Sequence, residues 1–300
     1  MWISYHYLVM ESKVFENVAL VAQGGGSRGA FTAGVEDVLL REGIRFPYLI
    51  GTSAGALNNL DFLSEDYGRS KVVTTELLGD RKFLSLHNLI RKGGLFDFSY
   101  LIQELPKERL PFDFETFEKS SVRFVCAATS LDTGEAAYFE KGVVRDFWKA
   151  VEASASLPAI SKPVLVDGAY YLDGGQSAPI PFQKAREDGY SKMVVILTRP
   201  RDFRRRMKIG VAKELLYKAL YRAHPEFLAS YFGYSKVYNA AVDELLQMEK
   251  RGEVFLIAPE VGLGVSKTER NPQKLIRVYE AGVQIAEKNL HALKEFLEHE

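Results

Sequence analysis

Short runs of β-branched and other apolar residues alternate along the chain with longer segments in which apolar positions recur every three or four residues. The short runs predict buried strands, and the longer segments predict amphipathic helices. Strands are expected at residues 18–22, 48–50, 123–128, 136–139, 164–166, 170–172, 193–198 and 254–258. Helices are expected at residues 30–40, 143–153, 209–250 and 272–297, and residues 66–120 are expected to be mostly helical and rich in loops. This alternation is typical of a layered α/β fold.

The domain organisation follows from the lack of any linker rich in Pro, Gly or Ser. The sharpest change in composition is at residues 199–208, where six of ten residues are Arg or Lys. The strand at 254–258 is expected to rejoin the sheet after this segment. We therefore predict an N-terminal extension at residues 1–16 and one domain at residues 17–300, whose part from 199 onward is helical.

Composition excludes several classes of protein. The 300 residues are 47% apolar and 26% charged, which is ordinary for a globular chain with a large core. The 39 basic and 39 acidic residues give no net charge, so no long-range field favours a nucleic-acid partner. A single cysteine, Cys126, can form neither an internal disulfide nor a zinc or iron–sulfur site. We expect no metal and no other cofactor.

The N-terminal ten residues lack the basic stretch and the cleavage site of a signal peptide, and Met10 is an alternative start. Their apolar stretch is shorter than the roughly 20 residues that a spanning helix needs, and no other window is long and apolar enough. We therefore expect a cytoplasmic protein. The sequence predicts no particular oligomeric state.

A glycine-rich turn follows the first predicted strand and opens a helix. It consists of Gly24, Gly25, Gly26, Ser27, Arg28 and Gly29. Read as G-x-G-x-x-G, it matches a dinucleotide-binding turn, but that function needs an acidic residue near the end of the second strand, which ends at Ile50 without one. The same backbone N–H groups, beside a helix N-terminus, could instead stabilise an oxyanion.

The second turn reads G-x-S-x-G, with Ser53 between Gly51 and Gly55. A nucleophile elbow needs glycines at these two positions because the strand-to-helix turn leaves no room for side chains. The turn follows a predicted strand and precedes a predicted helix, as that mechanism requires. The alternative is a tight turn with a capping serine.

A nucleophilic serine needs a base, and the histidines are poorly placed for that role. The chain has five histidines, which are His6, His87, His224, His291 and His299. None of them follows a strand in the way that a triad histidine does. Asp173 ends a predicted strand and precedes two glycines. By itself this pattern also fits a plain Asp-Gly turn, like that at residues 167–168.

These three turns, in this order, resemble the signature of the patatin-like phospholipase family, which combines a glycine-rich oxyanion loop, a G-x-S-x-G elbow and a D-G-[GA] motif. Residues 153–158, A-S-A-S-L-P, are similar to the A-S-x-S-x-P block of that family, and residues 132–135 and 274–280 are similar to its bacterial members. The resemblance covers nearly the whole chain and is firmest over residues 17–198.

The resemblance implies a three-layer α/β/α sandwich with a mostly parallel sheet and a Ser53–Asp173 dyad that needs no histidine. It implies an oxyanion hole in residues 24–29, and a lipid acyl hydrolase of the phospholipase A or lysophospholipase type with a lipid or lysolipid substrate. A Rossmann-type nucleotide-binding protein and a catalytically silent lipid-binding relative are the alternatives.

Three further features have two interpretations each. The basic segment 199–208 could contact anionic lipid headgroups, giving peripheral membrane contact, or form a solvated loop. Arg28 could hold its loop or meet an anionic phosphate. The aromatic residues within 227–238 could line an acyl-chain tunnel, but their helical spacing favours the core.

Overall fold

The structure, a computed structural model, describes residues 12–77, 100, 104–105, 109–206 and 209–299. Within these residues the strands are β1 (Lys13–Val14), β2 (Val18–Ala22), β3 (Ile44–Arg45), β4 (Tyr48–Thr52), β5 (Arg123–Ser130), β6 (Ala136–Glu140), β7 (Val164–Val166), β8 (Ala169–Asp173), β9 (Lys192–Ile196) and β10 (Val254–Ile257). The α-helices are α1 (Gly29–Arg41), α2 (Ala54–Leu63), α3 (Arg69–Thr75), α4 (Phe114–Lys119), α5 (Phe147–Ala155), α6 (Phe182–Glu187), α7 (Val211–Leu220), α8 (Pro225–Lys250) and α9 (Pro272–Glu298).

The central sheet is mostly parallel, as predicted. Strands β10, β9, β2, β4 and β5 lie side by side in that order, and every neighbouring pair is parallel. Strands β6 and β8 pair with β5 in the antiparallel sense, and β7 pairs with β8. The carboxyl ends of the five parallel strands therefore meet at one edge of the sheet, where open α/β folds place their ligands.

Strand β5 brings two distant parts of the chain together. Along one edge, the first part of β5 pairs with β4, and this pairing ends where Thr52 of β4 lies opposite Ala127. The last part of the same edge pairs with β8, beginning where Asp173 of β8 lies opposite Ala128. Strand β6 occupies the other edge of β5. Strands β4 and β8 thus lie end to end along one edge, and the residue after Thr52 comes next to Asp173.

Helices cover both faces of the sheet and give the predicted three layers. In β2, Val18 and Leu20 face the core formed with α1, α2, α5 and α9. The alternate residues, Ala19 and Val21, face the core formed with α6 and α8. This alternation follows from the two-residue period of a strand, and full burial on both faces accounts for the continuous apolar run.

Two helical segments differ from the prediction. The helix expected at 143–153 begins at Phe147, because the Asp146 carboxylate accepts a hydrogen bond from the Lys149 N–H at 3.1 Å and caps the helix there. The helix expected over 209–250 is two helices, since Pro225 cannot continue a preceding helix but suits the first turn of a new one.

The ends of the domain are only partly described. Residues 1–11 of the predicted extension lie outside the described residues, and β1 pairs in parallel with β3. The extension and the single domain therefore remain predictions.

Between α3 and α4, residues 78–99, which include His87, also lie outside the described part. No helix in the described ranges is long and apolar enough to cross a bilayer.

Candidate active site

Ser53 occupies a strained elbow between β4 and α2. Its φ of 56° and ψ of −122° lie outside the conformations that a serine normally adopts. The glycine positions explain why the strand can turn so tightly, since a Cβ on Gly55 would lie 2.4 Å from the carbonyl oxygen of Ala22. Such strain persists only where the surrounding fold enforces it, and it is a common feature of functional sites. A nucleophile elbow requires a tight strand-to-helix turn of this kind.

Ser154, at the end of α5, fixes this elbow from outside the motif. Its hydroxyl accepts a hydrogen bond from the Ser53 N–H at 2.9 Å and donates one to the Ala127 carbonyl at 2.7 Å. Ser154 is fully buried. The hydroxyl therefore couples the strained turn to β5, the strand that carries both β4 and β8.

Asp173 ends β8, and the block at residues 153–158 holds it in place. The Asp173 N–H donates to the Ser156 carbonyl at 2.8 Å, and the Thr129 hydroxyl donates to the Asp173 carbonyl at 2.9 Å. One carboxylate oxygen, Oδ1, accepts a hydrogen bond from the Gly175 N–H at 2.7 Å. The aspartate is thus fixed at both its backbone and its side chain.

The other carboxylate oxygen, Oδ2, has no hydrogen bond of normal geometry within the described residues. Burial raises the pKa of Asp173 above the usual carboxyl value. The positive charge of Lys267 opposes this effect, and the Ser53 hydroxyl also lowers the pKa of Asp173 as a hydrogen-bond donor. The Ser53 hydroxyl therefore lies close to the Asp173 carboxylate.

The glycine-rich loop lies directly beside this pair. Gly26 has a φ of +58°, and a Cβ there would lie 2.3 Å from the Lys267 carbonyl oxygen, so only glycine fits. The Gly24 N–H donates to the Pro179 carbonyl at 3.1 Å, and the Ser27 N–H donates to the Lys267 carbonyl at 2.9 Å.

The remaining amides of the loop differ in how far they are engaged. The Arg28 N–H makes a long contact of 3.4 Å with the Gly25 carbonyl, and the Gly29 N–H donates within the helical turn. The N–H groups of Gly25 and Gly26 have no backbone or side-chain acceptor within the described residues.

Comparison with known proteins now adds to this geometry. Residues 20–186, more than half of the chain, match the family model described as patatin-like phospholipase. The chain belongs to the patatin-like phospholipase family. A second model, described as a domain of unknown function (DUF6363), matches residues 224–298.

Relatives of this patatin-like chain include the uncharacterized protein YjjU of Escherichia coli, 32% identical over 61% of the chain and 52% of YjjU. Lysophospholipase NTE1 of Scheffersomyces stipitis is 27% identical over 65% of the chain and 12% of NTE1. The chain thus spans about half of the first relative and a small part of the second. The crystal structure of VipD from Legionella pneumophila matches 94% of the chain and 67% of VipD, with 13% identity and a TM-score of 0.45.

The described histidines of this patatin-like chain have other partners. His224 Nδ1 lies 3.7 Å from Asp132 Oδ1 at the start of α8, and His291 Nε2 lies 3.4 Å from Glu295 Oε1 on the exposed surface of α9. His299 follows α9 at its C-terminal end. None of these three side chains forms a hydrogen bond with Ser53 or Asp173 within the described residues. His6 and His87 lie outside the described residues.

Arg28 is almost fully buried, at 1% exposed, beside the glycine-rich loop. Its Nε and Nη2 atoms have no acceptor in the described residues, so they do not hold the loop by hydrogen bonds. Burial, together with the charges of Arg199 and Arg205, lowers the pKa of Arg28 to about 9. Arg28 is therefore still a cation near neutral pH.

Two residues of the site were not predicted from the sequence. No local pattern singles out Ser154, since a serine in a helix gives no signal of a partner 101 residues away. Lys267 lies in the segment between β10 and α9, and nothing in that segment distinguishes it from a solvated lysine. Its backbone carbonyl accepts hydrogen bonds from both the N–H and the hydroxyl of Ser27.

The basic segment 199–208 divides into two sets of side chains. Arg201 pairs with Glu249 and Arg204 pairs with Asp243, each at 2.6 Å, so these two arginines bind α8 rather than a free surface. Arg199 and Arg205 lie close enough to Arg28 to lower its pKa. Arg206 is exposed, and Lys208 lies outside the described residues.

Of the five aromatic residues of α8, two are buried in the core and three are half-buried. Phe227 and Tyr238 are fully buried in two different apolar clusters. Tyr231 stacks on Tyr217 of α7, with ring centroids 4.2 Å apart. These contacts attach α7 to α8.

Proposed function

We propose that this chain is a lipid acyl hydrolase of the phospholipase A or lysophospholipase type, in which Ser53 is the nucleophile and Asp173 is the base. The observation that carries this proposal is the strained elbow serine beside the buried carboxylate of Asp173. The family match and the relatives named lysophospholipase support the same class of substrate.

In this mechanism the Ser53 Oγ attacks the ester carbonyl carbon while its proton moves to Asp173. The carbonyl electron pair moves onto the oxygen, which the N–H groups of Gly25 and Gly26 would bind. Removing one such donor typically costs about 3 kcal/mol of transition-state stabilisation. The N–H of Ala54, the residue after the nucleophile, is the third candidate donor.

Collapse of the tetrahedral intermediate breaks the ester C–O bond, and the departing alcohol takes the proton from Asp173. Asp173 then removes a proton from water, which attacks the acyl carbon. As the bond between the acyl carbon and Ser53 Oγ breaks, Asp173 returns this proton to Ser53 Oγ and the fatty acid leaves. A carboxylate is a weak base for a hydroxyl group, and the raised pKa of Asp173 strengthens it. No step requires a histidine.

The membrane contact that such a substrate requires has a candidate surface in α7. Its apolar residues point outward, with Val211 73%, Leu215 62% and Leu220 52% exposed. The exposed cations Lys213 and Arg222 border them. An apolar stripe with basic neighbours suits the surface of an anionic membrane.

Helix α7 also lies at the active-site edge. The Tyr217 hydroxyl donates to the carbonyl of Pro158, in the block that holds Asp173, at 3.1 Å. We expect Leu215→Asp with Leu220→Asp to weaken binding to anionic vesicles at least about tenfold. Val143→Asp is the control, because Val143 is 77% exposed and follows β6 at the opposite edge of the sheet. Unchanged vesicle binding by the α7 variant would place the contact elsewhere.

The activity itself is tested on a mixed lipid extract, with Ser53→Ala as the blank. We expect the wild-type chain to release fatty acid and Ser53→Ala to release none. If folded wild-type protein releases no fatty acid from any lipid class, the hydrolase proposal is wrong and a silent lipid-binding relative is the better interpretation.

A further inference from the structure

Four cations converge beside the glycine-rich loop with few anions to balance them. They are Arg28, Arg199, Arg205 and Lys267. None of them forms an ion pair within the described residues, whereas Arg201 and Arg204 of the same basic segment are paired with α8. The Nε atoms of Arg28, Arg199 and Arg205 are buried without an acceptor in those residues. A buried donor without an acceptor is costly, so these groups suit an anionic ligand.

The chain holds Arg205 rigidly in this cluster. Its N–H donates to the Asn239 Oδ1 at 2.7 Å, and its carbonyl accepts from the Asn239 Nδ2 at 3.0 Å. The guanidinium carbon lies 4.6 Å from the ring centroid of Tyr238 and 5.3 Å from that of Tyr234. The guanidinium group thus lies against two aromatic rings, and its Nε has no acceptor within the described residues.

Arg199 and Lys267 complete the cluster from two other segments. The Arg199 guanidinium lies 4.6 Å from the ring centroid of Phe203. Lys267 is an exposed residue, yet the surrounding protein and the charge of Arg205 lower its pKa to about 8. The Lys267 side chain is therefore accessible to a ligand.

The cluster adjoins the reacting groups. Lys267 and Arg205 both lie close enough to Asp173 to lower the pKa of its carboxyl group, and Asp173 in turn raises that of Lys267. An anion bound among the four cations would therefore lie beside the ester that Ser53 attacks. Several donors arranged around one point suit a phosphate group, which has several oxygens to accept them, and arginine binds phosphate in a bidentate manner.

We propose that Arg28, Arg199, Arg205 and Lys267 form a subsite for the phosphate group of a glycerophospholipid or lysophospholipid substrate. This inference rests on the proposed hydrolase function and narrows its substrate class. Only a few bonds of the glycerol backbone separate the phosphate from the ester, which matches the closeness of the cluster to Asp173. Galactolipids and neutral glycerides would leave the cluster without an anion.

The test compares two substrates that share one acyl chain in detergent micelles, so that membrane binding does not enter. These are 1-palmitoyl lysophosphatidylglycerol and 1-monopalmitoylglycerol. The quantity compared is the kcat/KM of the phosphate-bearing substrate divided by that of the phosphate-free substrate. We expect Arg199→Gln and Arg205→Gln each to lower this ratio at least about tenfold, because each loses a hydrogen bond to a charged group. Arg204→Gln is the matched control and leaves the ratio unchanged, since Arg204 pairs with Asp243.

If the ratio of the two kcat/KM values is unchanged in Arg199→Gln and Arg205→Gln, the proposed subsite is wrong. It is also wrong if the ratio falls equally in Arg204→Gln. A second measurement separates this failure from failure of the proposed function. We expect sn-glycerol 3-phosphate to bind the Ser53→Ala protein in calorimetry, and to bind more weakly once Arg205→Gln is added.

If sn-glycerol 3-phosphate binds but the wild-type chain hydrolyses no ester, the hydrolase proposal is wrong. The assignment of the cluster to a substrate headgroup is then overturned as well. Binding of inorganic phosphate by a chain that hydrolyses both lipids equally well assigns the cluster to free phosphate and also overturns the headgroup. Absence of all phosphate binding, with intact hydrolysis and no substrate preference, overturns the subsite alone.

Discussion

The most informative structural perturbation is Ser154→Ala, because it touches the nucleophile only through one buried hydroxyl. The change removes the acceptor of the Ser53 N–H and the donor to the Ala127 carbonyl, whose distances are 2.9 and 2.7 Å. Both backbone groups then lie in the interior without a partner. Each such loss costs about 1–3 kcal/mol, and because the two share one hydroxyl we expect a combined loss of about 2–4 kcal/mol in the free energy of unfolding.

A domain with a typical stability of about 5–15 kcal/mol remains folded after such a loss. The strained elbow, however, loses one of the contacts that enforce its φ of 56°. Small displacements of a nucleophile are costly in rate, so we expect kcat on a soluble ester to fall about 10–100-fold. Stability and rate should therefore fall together.

The assay is urea unfolding paired with kcat on a p-nitrophenyl ester. Ser156→Ala is the control from the same block, since the Ser156 hydroxyl donates only to the carbonyl of Glu152, one helical turn earlier, at 2.8 Å. We expect the control to lose less than about 1 kcal/mol and to retain kcat. A Ser154→Ala variant within about 0.5 kcal/mol of wild type and with normal kcat would refute the argument that this hydroxyl enforces the elbow.

Three further predictions concern the loop, the base and a buried acid. Gly26→Ala places a Cβ 2.3 Å from the Lys267 carbonyl oxygen, so kcat should fall about 10²–10³-fold. Gly142→Ala is the control and should leave kcat unchanged, because Gly142 has a φ of +80° but lies in open space. The kcat/KM of a soluble ester should increase as pH increases through the raised pKa of Asp173. In Lys267→Met this increase should occur at higher pH, because the loss of the cation disfavours the carboxylate. A shift to lower pH would contradict the assigned interaction between Lys267 and Asp173. Burial raises the pKa of Glu36, so the stabilising contribution of Glu36 is lost as pH increases from about 4.5. In urea unfolding, Glu36→Gln should gain stability relative to wild type as pH increases over that range. Parallel pH profiles of stability for the two proteins would refute this prediction.

Much of the fold follows from local signals in the sequence. The apolar run at 18–22 is a strand buried on both faces, and Asn271 followed by Pro272 starts the last helix as its cap predicts. The antiparallel return of β6 and the hairpin between β7 and β8 also lie where their turns predict. Each of these depends on residues that are neighbours in the chain.

The site required information that no local pattern contains. The resemblance of the three turns predicts Ser53 and Asp173 as a pair, but the reason they meet is the register of β5, which places β4 and β8 end to end. Lys267 enters through a loop that follows β10, and a lone lysine there has no distinguishing neighbours. The division of the basic segment into paired and unpaired arginines depends on which of them reach the acidic residues of α8.

The central claim, that Ser53 and Asp173 act as nucleophile and base, is tested most directly by a fluorophosphonate probe whose attachment site is mapped by mass spectrometry. We predict one modified peptide with the label on Ser53, no label in Ser53→Ala, and strongly reduced labelling and ester hydrolysis in Asp173→Asn with an unchanged circular dichroism spectrum. A label on another residue, or near-normal labelling and hydrolysis in Asp173→Asn, would contradict the account.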